Sequence, residues 1–278
     1  IIQTGKIGNI VSMQHLESVG YWQQCHSLVR GNWRNSHESS PMLLAKSSHD
    51  IDWIRYIMAR RCAKVVSFGN LKHFKASEKP LNAGSRCLDC GLEKQCPYSA
   101  VKIYLRDRVE KNKLDWPVDI ITEVPETSSV IKALKEGPYG RCVYDCDNDV
   151  VDHQIVSMLF EDGATCSFTM TAFTPGGQGR KTSIFGTRGQ LTGNGAQIEV
   201  FDFLTEKTFC YDLAENSSDI NDGHGGGDTG IMHAFISAIA TGDTSKLYST
   251  PEVAFESHQM VFAAEKSRLS GKVVTINP

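Results

Sequence analysis

The sequence predicts an α+β domain built around a mainly antiparallel β-sheet. Between residues 140 and 210, β-favouring runs follow one another, separated by DG, PGG and NGAQ turns with no helical pattern between them. Such a succession favours an antiparallel meander. Helical patterns precede and follow this region, and that grouping of helices and strands is typical of an α+β domain.

The first predicted elements are a helix end and one or two strands. IIQTGKIG (1–8) predicts the last turn of a helix closed by a glycine, and residues 8–30 predict one or two strands. We therefore expect residues 1–8 to be the tail of a helix from a missing preceding domain, and residues 9–278 to form one α+β domain. Two independent small domains are the alternative, but no Pro/Gly/Ser-rich linker divides the chain.

The segment PMLLAKSSHDIDWIRYIM (41–58) predicts an amphipathic helix that carries His49. Apolar residues recur after His49 at helical spacing, and Ser47 and Ser48 are candidate N-caps. A histidine between an apolar run and such a helix can face a cleft while the helix stays anchored.

The remaining elements follow from similar patterns. Residues 64–74 predict a strand, residues 77–100 a loop-rich insertion and residues 127–136 a helix ended by a glycine. Two further helices are predicted after the meander, the last beginning at Pro251 and ending at Gly271, and KVVTI predicts a closing strand.

Composition excludes several function classes. A net charge of −3 and a pI near 6.3 argue against nucleic acid and anionic membranes as partners. No apolar run has the roughly 20 residues of a membrane-spanning helix, and no signal peptide is apparent. Nine cysteines without a secretory signal favour reduced thiols. We expect a cytoplasmic protein.

The glycine clusters do not predict a dinucleotide site. Such a site needs a strand, a glycine-rich turn and a helix in that order. PGGQG (175–179) lies between two predicted strands, and GHGGGD (223–228) follows a polar run. A phosphate-binding loop is therefore a weak interpretation of either cluster.

Several segments besides the His49 helix resemble the Gfo/Idh/MocA family of nicotinamide-dependent oxidoreductases. They are IGNIVSMQHLE, HSLVRGNW, RCLDCGLEKQCPYSA, YGRCVYDCDNDVVDHQ, IFGTRGQL and GHGGGDTGIMHAF. The resemblance extends over nearly the whole chain but only to the family's C-terminal half. It implies an open sheet with helices on one face, and a missing Rossmann domain that carries NAD or NADP. Glu78-Lys79-Pro80 matches the family's Rossmann-domain motif in letters only, because it lies in a loop after a strand.

The same resemblance implies a role for the domain in binding and assembly. The substrate would be a sugar, inositol or related polyol, and the open sheet face would form a dimer or tetramer. Alternating Phe168, Met170 and Ala172 are the residues that we expect on this face, because an exposed apolar sheet face needs a partner.

The resemblance places His49 beside the substrate as an acid/base or hydroxyl-orienting residue. A carbinol must lose a proton as its hydride leaves, and an imidazole can accept that proton because it titrates near neutral pH. Many family members have an aspartate four residues earlier, where this chain has Ala45 followed by Lys46. Lys46 is therefore a second catalytic candidate, unless this branch uses different chemistry. The structural alternatives are that His49 only caps a helix and that Lys46 is a surface lysine.

Two polar segments supply candidate substrate-binding residues. Arg30, Asn32 and Trp33 in VRGNW, and His224 and Asp228 in GHGGGD, combine hydrogen-bonding groups with an aromatic face that suits a sugar. The structural alternatives are strand-end packing for the first segment and a helix-capping loop for the second.

The insertion contains three cysteines with metal-ligand spacing. Cys87 and Cys90 are separated by two residues, so one turn can supply both thiolates to Zn²⁺, and Cys96 follows. The fourth ligand of a structural zinc site would be Cys142, Cys146 or His26. The alternatives are packed free thiols or, with less suitable spacing, an iron–sulfur cluster.

The function expected from these observations is that of the C-terminal domain of an NAD(P)-dependent dehydrogenase, unlikely to catalyse alone. Two alternatives stay open. The chain is a non-catalytic binding or scaffold protein that retains the dimerisation sheet, or it is part of an NAD-dependent glycoside hydrolase.

Overall fold

A large mixed sheet dominates the structure, a computed structural model that describes residues 1–177, 179–212, 227–245, 247 and 250–277. In these residues nine strands form one sheet in the order β8-β7-β6-β5-β1-β4-β3-β2-β9. They are β1 (Ile10–Gly20), β2 (Cys62–Asn70), β3 (His153–Phe160), β4 (Thr165–Thr174), β5 (Lys181–Gly186), β6 (Gly189–Gly193), β7 (Gln197–Asp202), β8 (Lys207–Asp212) and β9 (Val274–Thr275).

The helices fall before and after the meander. They are α1 (Tyr21–Gln23), α2 (Met42–Met58), α3 (Val118–Ile121), α4 (Thr127–Glu136), α5 (Gly227–Thr241) and α6 (Pro251–Ser270). The π-helical segments are Gln24–Arg30 and Val101–Arg106, and the 3₁₀ turns are Ala76–Glu78, Glu93–Gln95, Val109–Lys111 and Pro138–Gly140. None of the described helices has the length and apolar character needed to cross a membrane.

The predicted meander is confirmed, with one strand inserted from outside it. Strands β3 and β4 pair antiparallel, as do the neighbours from β5 to β8. Strand β1 lies between β4 and β5, parallel to β4 and antiparallel to β5. Because β1 comes from the start of the described chain, its parallel pairing needs the long connection that separates it from β4.

The two faces of the sheet differ in what covers them. Phe168 and Met170 of β4 are fully buried in one core with α2 and α6, which confirms that helices cover one face. Ser167 and Thr169 alternate with them and face the other way. The prediction that Phe168, Met170 and Ala172 occupy the open face is therefore wrong, because these apolar side chains take the buried side of the pleat.

Several helix boundaries follow the sequence signals. Helix α4 spans the predicted 127–136, and α6 begins at Pro251 and is capped at its C-terminus by Gly271, whose φ is +66°. Helix α2, however, starts at Met42, so Ser47 and Ser48 lie inside it and are not N-caps. The reason is that the buried Leu43 already belongs to the helix face that packs on the core.

The segments at either end of β1 differ from prediction. Residues 2–7 form successive turns rather than the end of a helix. Residues 21–30 are helical rather than a second strand, since Cys25, Leu28 and Val29 are buried at helical spacing. This segment packs in a second core beneath the insertion, with Tyr104 among its fully buried members.

Candidate functional site

Charged and titratable side chains meet where helix α2 packs against β1 and the start of β5. We call these residues the His49 cluster: His15, Glu17, Lys46, His49, Asp50 and Arg180. His15 and Glu17 alternate along β1, so both point to the helix-covered face. Lys46, His49 and Asp50 lie within about one turn of α2, which brings them to the same place.

Two carboxylates and two cations hold the cluster together. Lys46 Nζ lies 3.0 Å from Glu17 Oε1, and Arg180 Nε lies 3.3 Å from Glu17 Oε2. Arg180 Nε also donates to Asp50 Oδ1, and its Nη2 donates to His49 Nε2. Arg180 therefore connects both carboxylates with the imidazole.

Asp50 is the buried centre of the cluster. Its Oδ1 accepts from His15 Nε2 at 3.2 Å, and its Oδ2 lies 3.3 Å from His49 Nε2. The other nitrogen of His15, Nδ1, lies 2.8 Å from Thr182 Oγ1. Burial by itself raises the pKa of Asp50, but the contacts with His15, His49 and Arg180 outweigh it and lower the pKa below its ordinary value.

The environment of His49 favours its neutral form. Burial lowers the pKa of His49, and the charges of Arg180 and Lys46 lower it further against the opposing effect of Asp50. The His49 side chain is still 54% exposed. A neutral, accessible imidazole can accept a proton from a bound molecule.

An aromatic side chain lies beside these polar groups. Trp53 is one helical turn after His49, its ring centroid is 4.9 Å from that of His15, and it is 36% exposed. An exposed aromatic face next to convergent polar groups is typical of a small-molecule site.

Nearly the whole chain matches one family of known proteins. The family model described as "Oxidoreductase family, C-terminal alpha/beta domain" (GFO_IDH_MocA_C) matches residues 1–276. The chain belongs to this Gfo/Idh/MocA oxidoreductase family. No curated protein sequence matches the chain significantly.

Solved structures show the same fold at low sequence identity. An oxidoreductase domain protein from Kribbella flavida is 16% identical with a TM-score of 0.61, and the match covers 100% of this chain and 62% of that one. Levoglucosan dehydrogenase in complex with NADH and levoglucosan is 17% identical (TM-score 0.60, coverage 99% and 61%). An oxidoreductase from Agrobacterium radiobacter in complex with NAD⁺, L-tartaric acid and magnesium is 13% identical (TM-score 0.59, coverage 99% and 59%). The chain thus spans about three fifths of the length of these proteins.

In this Gfo/Idh/MocA domain, the two residues predicted as catalytic belong to one cluster. His49 and Lys46 are connected through Arg180 and Glu17. Sequence reasoning missed His15, Glu17, Asp50 and Arg180 as site residues. The signal for His15 and Glu17 was present, because these two titratable residues share one face of a predicted strand with the apolar Met13 and Val19.

The VRGNW residues do not join the His49 cluster. Arg30 is fully buried and donates to the backbone carbonyls of Arg141 and Tyr98, at 2.8 and 2.9 Å. This burial does not fit a substrate-binding role. Asn32 and Trp33 are exposed in the loop after Arg30, and no hydrogen bond among the described residues connects them with His49.

Only the end of the GHGGGD segment lies within the described residues. His224 lies outside the described residues, so its predicted role has no structural test. Asp228 is exposed in the first turn of α5.

The three insertion cysteines lie together. Cys87, Cys90 and Cys96 line a cavity of about 40 Å³, and Cys142 lines it too. Within the described residues, however, no three His, Cys, Asp or Glu side chains are already arranged to hold a metal ion. Their thiols contact neighbours instead: Cys90 Sγ accepts from the Gly84 amide at 3.3 Å, and Cys87 Sγ lies 3.8 Å from the Arg141 carbonyl oxygen.

Proposed function

We propose that the chain is the substrate-binding and assembly domain of an NAD(P)-dependent dehydrogenase that acts on a sugar, inositol or related polyol. The observation that carries the proposal is the His49 cluster, which presents a neutral imidazole on a Gfo/Idh/MocA domain. The structures of similar proteins in complex with NADH and levoglucosan, and with NAD⁺ and L-tartaric acid, support a nicotinamide cofactor and a hydroxylated substrate.

The residues that the structure describes do not form a dinucleotide site. In its described parts, no glycine-rich turn connects a strand to a following helix, the arrangement that would hold a pyrophosphate. Cofactor binding therefore belongs to a partner domain in this proposal, and a nicotinamide bound there would supply the acceptor for the substrate's hydride.

What this chain supplies is proton transfer and orientation. His49 Nε2 accepts the hydroxyl proton as the carbinol is oxidised, after Arg180 gives up its hydrogen bond to that nitrogen. Asp50, 3.3 Å away, then stabilises the imidazolium. Glu17 holds Lys46 and Arg180 in place, and Trp53 offers the apolar side of the site to the sugar ring.

We also propose that the open sheet face joins two copies of the domain. This face carries exposed apolar side chains, Phe68 and Ile155 among them, beside the hydroxyls of β4. An exposed apolar surface of this kind is typical of an interface. Replacing Thr169 by Arg should yield a folded monomer in sedimentation analysis, whereas an unchanged oligomeric state would argue against this interface.

Two experiments test the proposed function. Titration of the chain with NADH and NADPH should show no binding up to about 1 mM, where the binding free energy is roughly 4 kcal/mol; tight binding would mean that the chain contains its own cofactor site. In the protein with its nicotinamide domain, His49→Asn should lower kcat/KM for a polyol substrate at least about 100-fold.

The control is His37→Asn, because His37 is exposed in the loop before α2. This variant should keep wild-type activity. Substrate binding without any activity in the wild-type protein would favour the scaffold alternative, and full activity in the His49 variant would refute the catalytic role of His49.

A further inference from the structure

We propose that Cys87, Cys90, Cys96 and Cys142 bind one Zn²⁺ ion, with the buried guanidinium of Arg30 beside it as the compensating charge. The site lies between the insertion and Cys142, at the border of the second core, and shares no residue with the His49 cluster.

The fold brings the fourth cysteine to the other three. Arg86 and Arg141 form an isolated antiparallel bridge, in which the Cys87 amide donates to Gly140 at 2.9 Å and the Cys142 amide donates to Ser85 at 2.8 Å. This bridge holds Cys142 beside the C-x2-C-x5-C segment. All four cysteines consequently line the same cavity of about 40 Å³, which has room for a single ion.

Arg30 lines the same cavity and has no carboxylate partner among the described residues. Its guanidinium is fully buried and always protonated. It hydrogen-bonds two backbone carbonyls and the Cys87 Sγ at 3.5 Å, while its Nη1 has no partner. Within the described chain no carboxylate forms an ion pair with it, although a buried charge is costly without an opposite one.

Zinc bound by four thiolates would provide that opposite charge. A neutral thiol is a weak acceptor and brings no charge, whereas Zn²⁺ with four thiolates has a net charge of −2. On binding, the four thiols release four protons to solvent and four Zn–S bonds form. Because the thiols now contact neighbouring groups, rotation about their Cα–Cβ bonds must redirect them toward the ion.

The test is the zinc content of the purified chain. After incubation with ZnCl₂ under reducing conditions and gel filtration, elemental analysis should find one Zn²⁺ per chain. Thiol modification with a mercurial should release it to a colorimetric chelator. Co²⁺ in its place should give the intense visible and sulfur charge-transfer bands of a tetrahedral thiolate site.

Cysteine variants distinguish this site from non-specific binding of zinc to thiols. Cys90→Ser and Cys142→Ser should each lower zinc affinity at least tenfold, and added zinc should raise the Tm of the wild-type chain but not of these variants. Cys146→Ser, whose thiol contacts the Cys142 carbonyl oxygen but does not line the cavity, and Cys210→Ser, exposed on β8, should bind like wild type.

Absence of stoichiometric zinc in the reduced wild-type chain would overturn the proposal. So would a Cys90→Ser variant, confirmed as folded by circular dichroism, that retains zinc with wild-type affinity. A fall in free thiols without bound metal would identify the cluster as a disulfide site and would also refute zinc binding.

Discussion

Lys46 Nζ lies 3.0 Å from Glu17 Oε1, joining helix α2 to strand β1 beneath the candidate site. The sequence alone does not decide whether Lys46 is a catalytic residue or a surface lysine. Its partner is only 7% exposed and also contacts Arg180. Lys46 is thus one of two cations that pair with a nearly buried carboxylate, and in this structure the Lys46–Glu17 pair ties helix α2 to strand β1.

This pairing predicts coupling between the two residues. Lys46→Met should destabilise the domain by about 1–2 kcal/mol, because Glu17 then keeps only Arg180 as a cationic partner. The double variant Glu17→Gln/Lys46→Met should cost less than the sum of the single variants in urea unfolding. Lys64→Met, on an exposed position of β2, is the control; strict additivity would contradict the ion pair.

Arg180 should control the protonation of His49. Its charge lowers the pKa of His49, so Arg180→Gln should raise that pKa in an NMR titration of the histidine ring signals. The His49 signals are identified by their loss in His49→Gln. Arg188→Gln, at an exposed position before β6, should leave the titration unchanged. An unaltered His49 titration in the Arg180 variant would mean that the contact does not form in solution.

His26 predicts a pH dependence of stability. Burial, assisted by the charge of Arg30, lowers the pKa of His26 to about 4. As the pH falls through 6.5, His26 takes up a proton in the unfolded chain but not in the folded one. The stability of the fold relative to the unfolded chain is therefore unaffected by His26 above pH 6.5 and decreases as the pH falls toward 4. The loss should be about 3 kcal/mol.

The comparison is between wild type and His26→Gln, with the free energy of unfolding measured at several pH values from 7 to 4. The variant should show a shallower slope over this window. His37→Gln should keep the wild-type slope, and an equal slope in the His26 variant would contradict the buried neutral imidazole.

The two faces of strand β4 should respond differently to substitution. Phe168→Ala removes a fully buried ring and should cost about 3–5 kcal/mol in denaturant unfolding. Thr169→Val, on the open face, should change stability by less than about 0.5 kcal/mol. A large loss for Thr169→Val with little loss for Phe168→Ala would show that the helices cover the other face.

Local signals in the sequence predicted the elements whose ends have their own chemistry. Helix α6 is an example, since Pro251 suits its first turn and Gly271 adopts the left-handed conformation at its end. Helix α2 shows the limit of this approach. Ser47 and Ser48 suit a cap, but burial of Leu43 extended the helix beyond them, because packing outweighs a capping preference.

Long-range pairings were not predictable in the same way. The insertion of β1 between β4 and β5 depends on register with strands more than a hundred residues away. The alternation of Phe168 and Met170 with threonines likewise predicts two faces without saying which one the helices cover. The choice follows from where α2 and α6 can bury apolar surface.

The sequence by itself determined most element types, the α+β class, the resemblance to an oxidoreductase domain and His49 as a candidate, because these depend on local periodicity and motif spacing. The tertiary structure alone decided what His49 meets. Arg180, 131 positions away, reaches its imidazole, and the buried Arg30 turns out to belong with the cysteines. Charges far apart in the chain come together only when strands pair and helices pack, and buried charges then require specific partners.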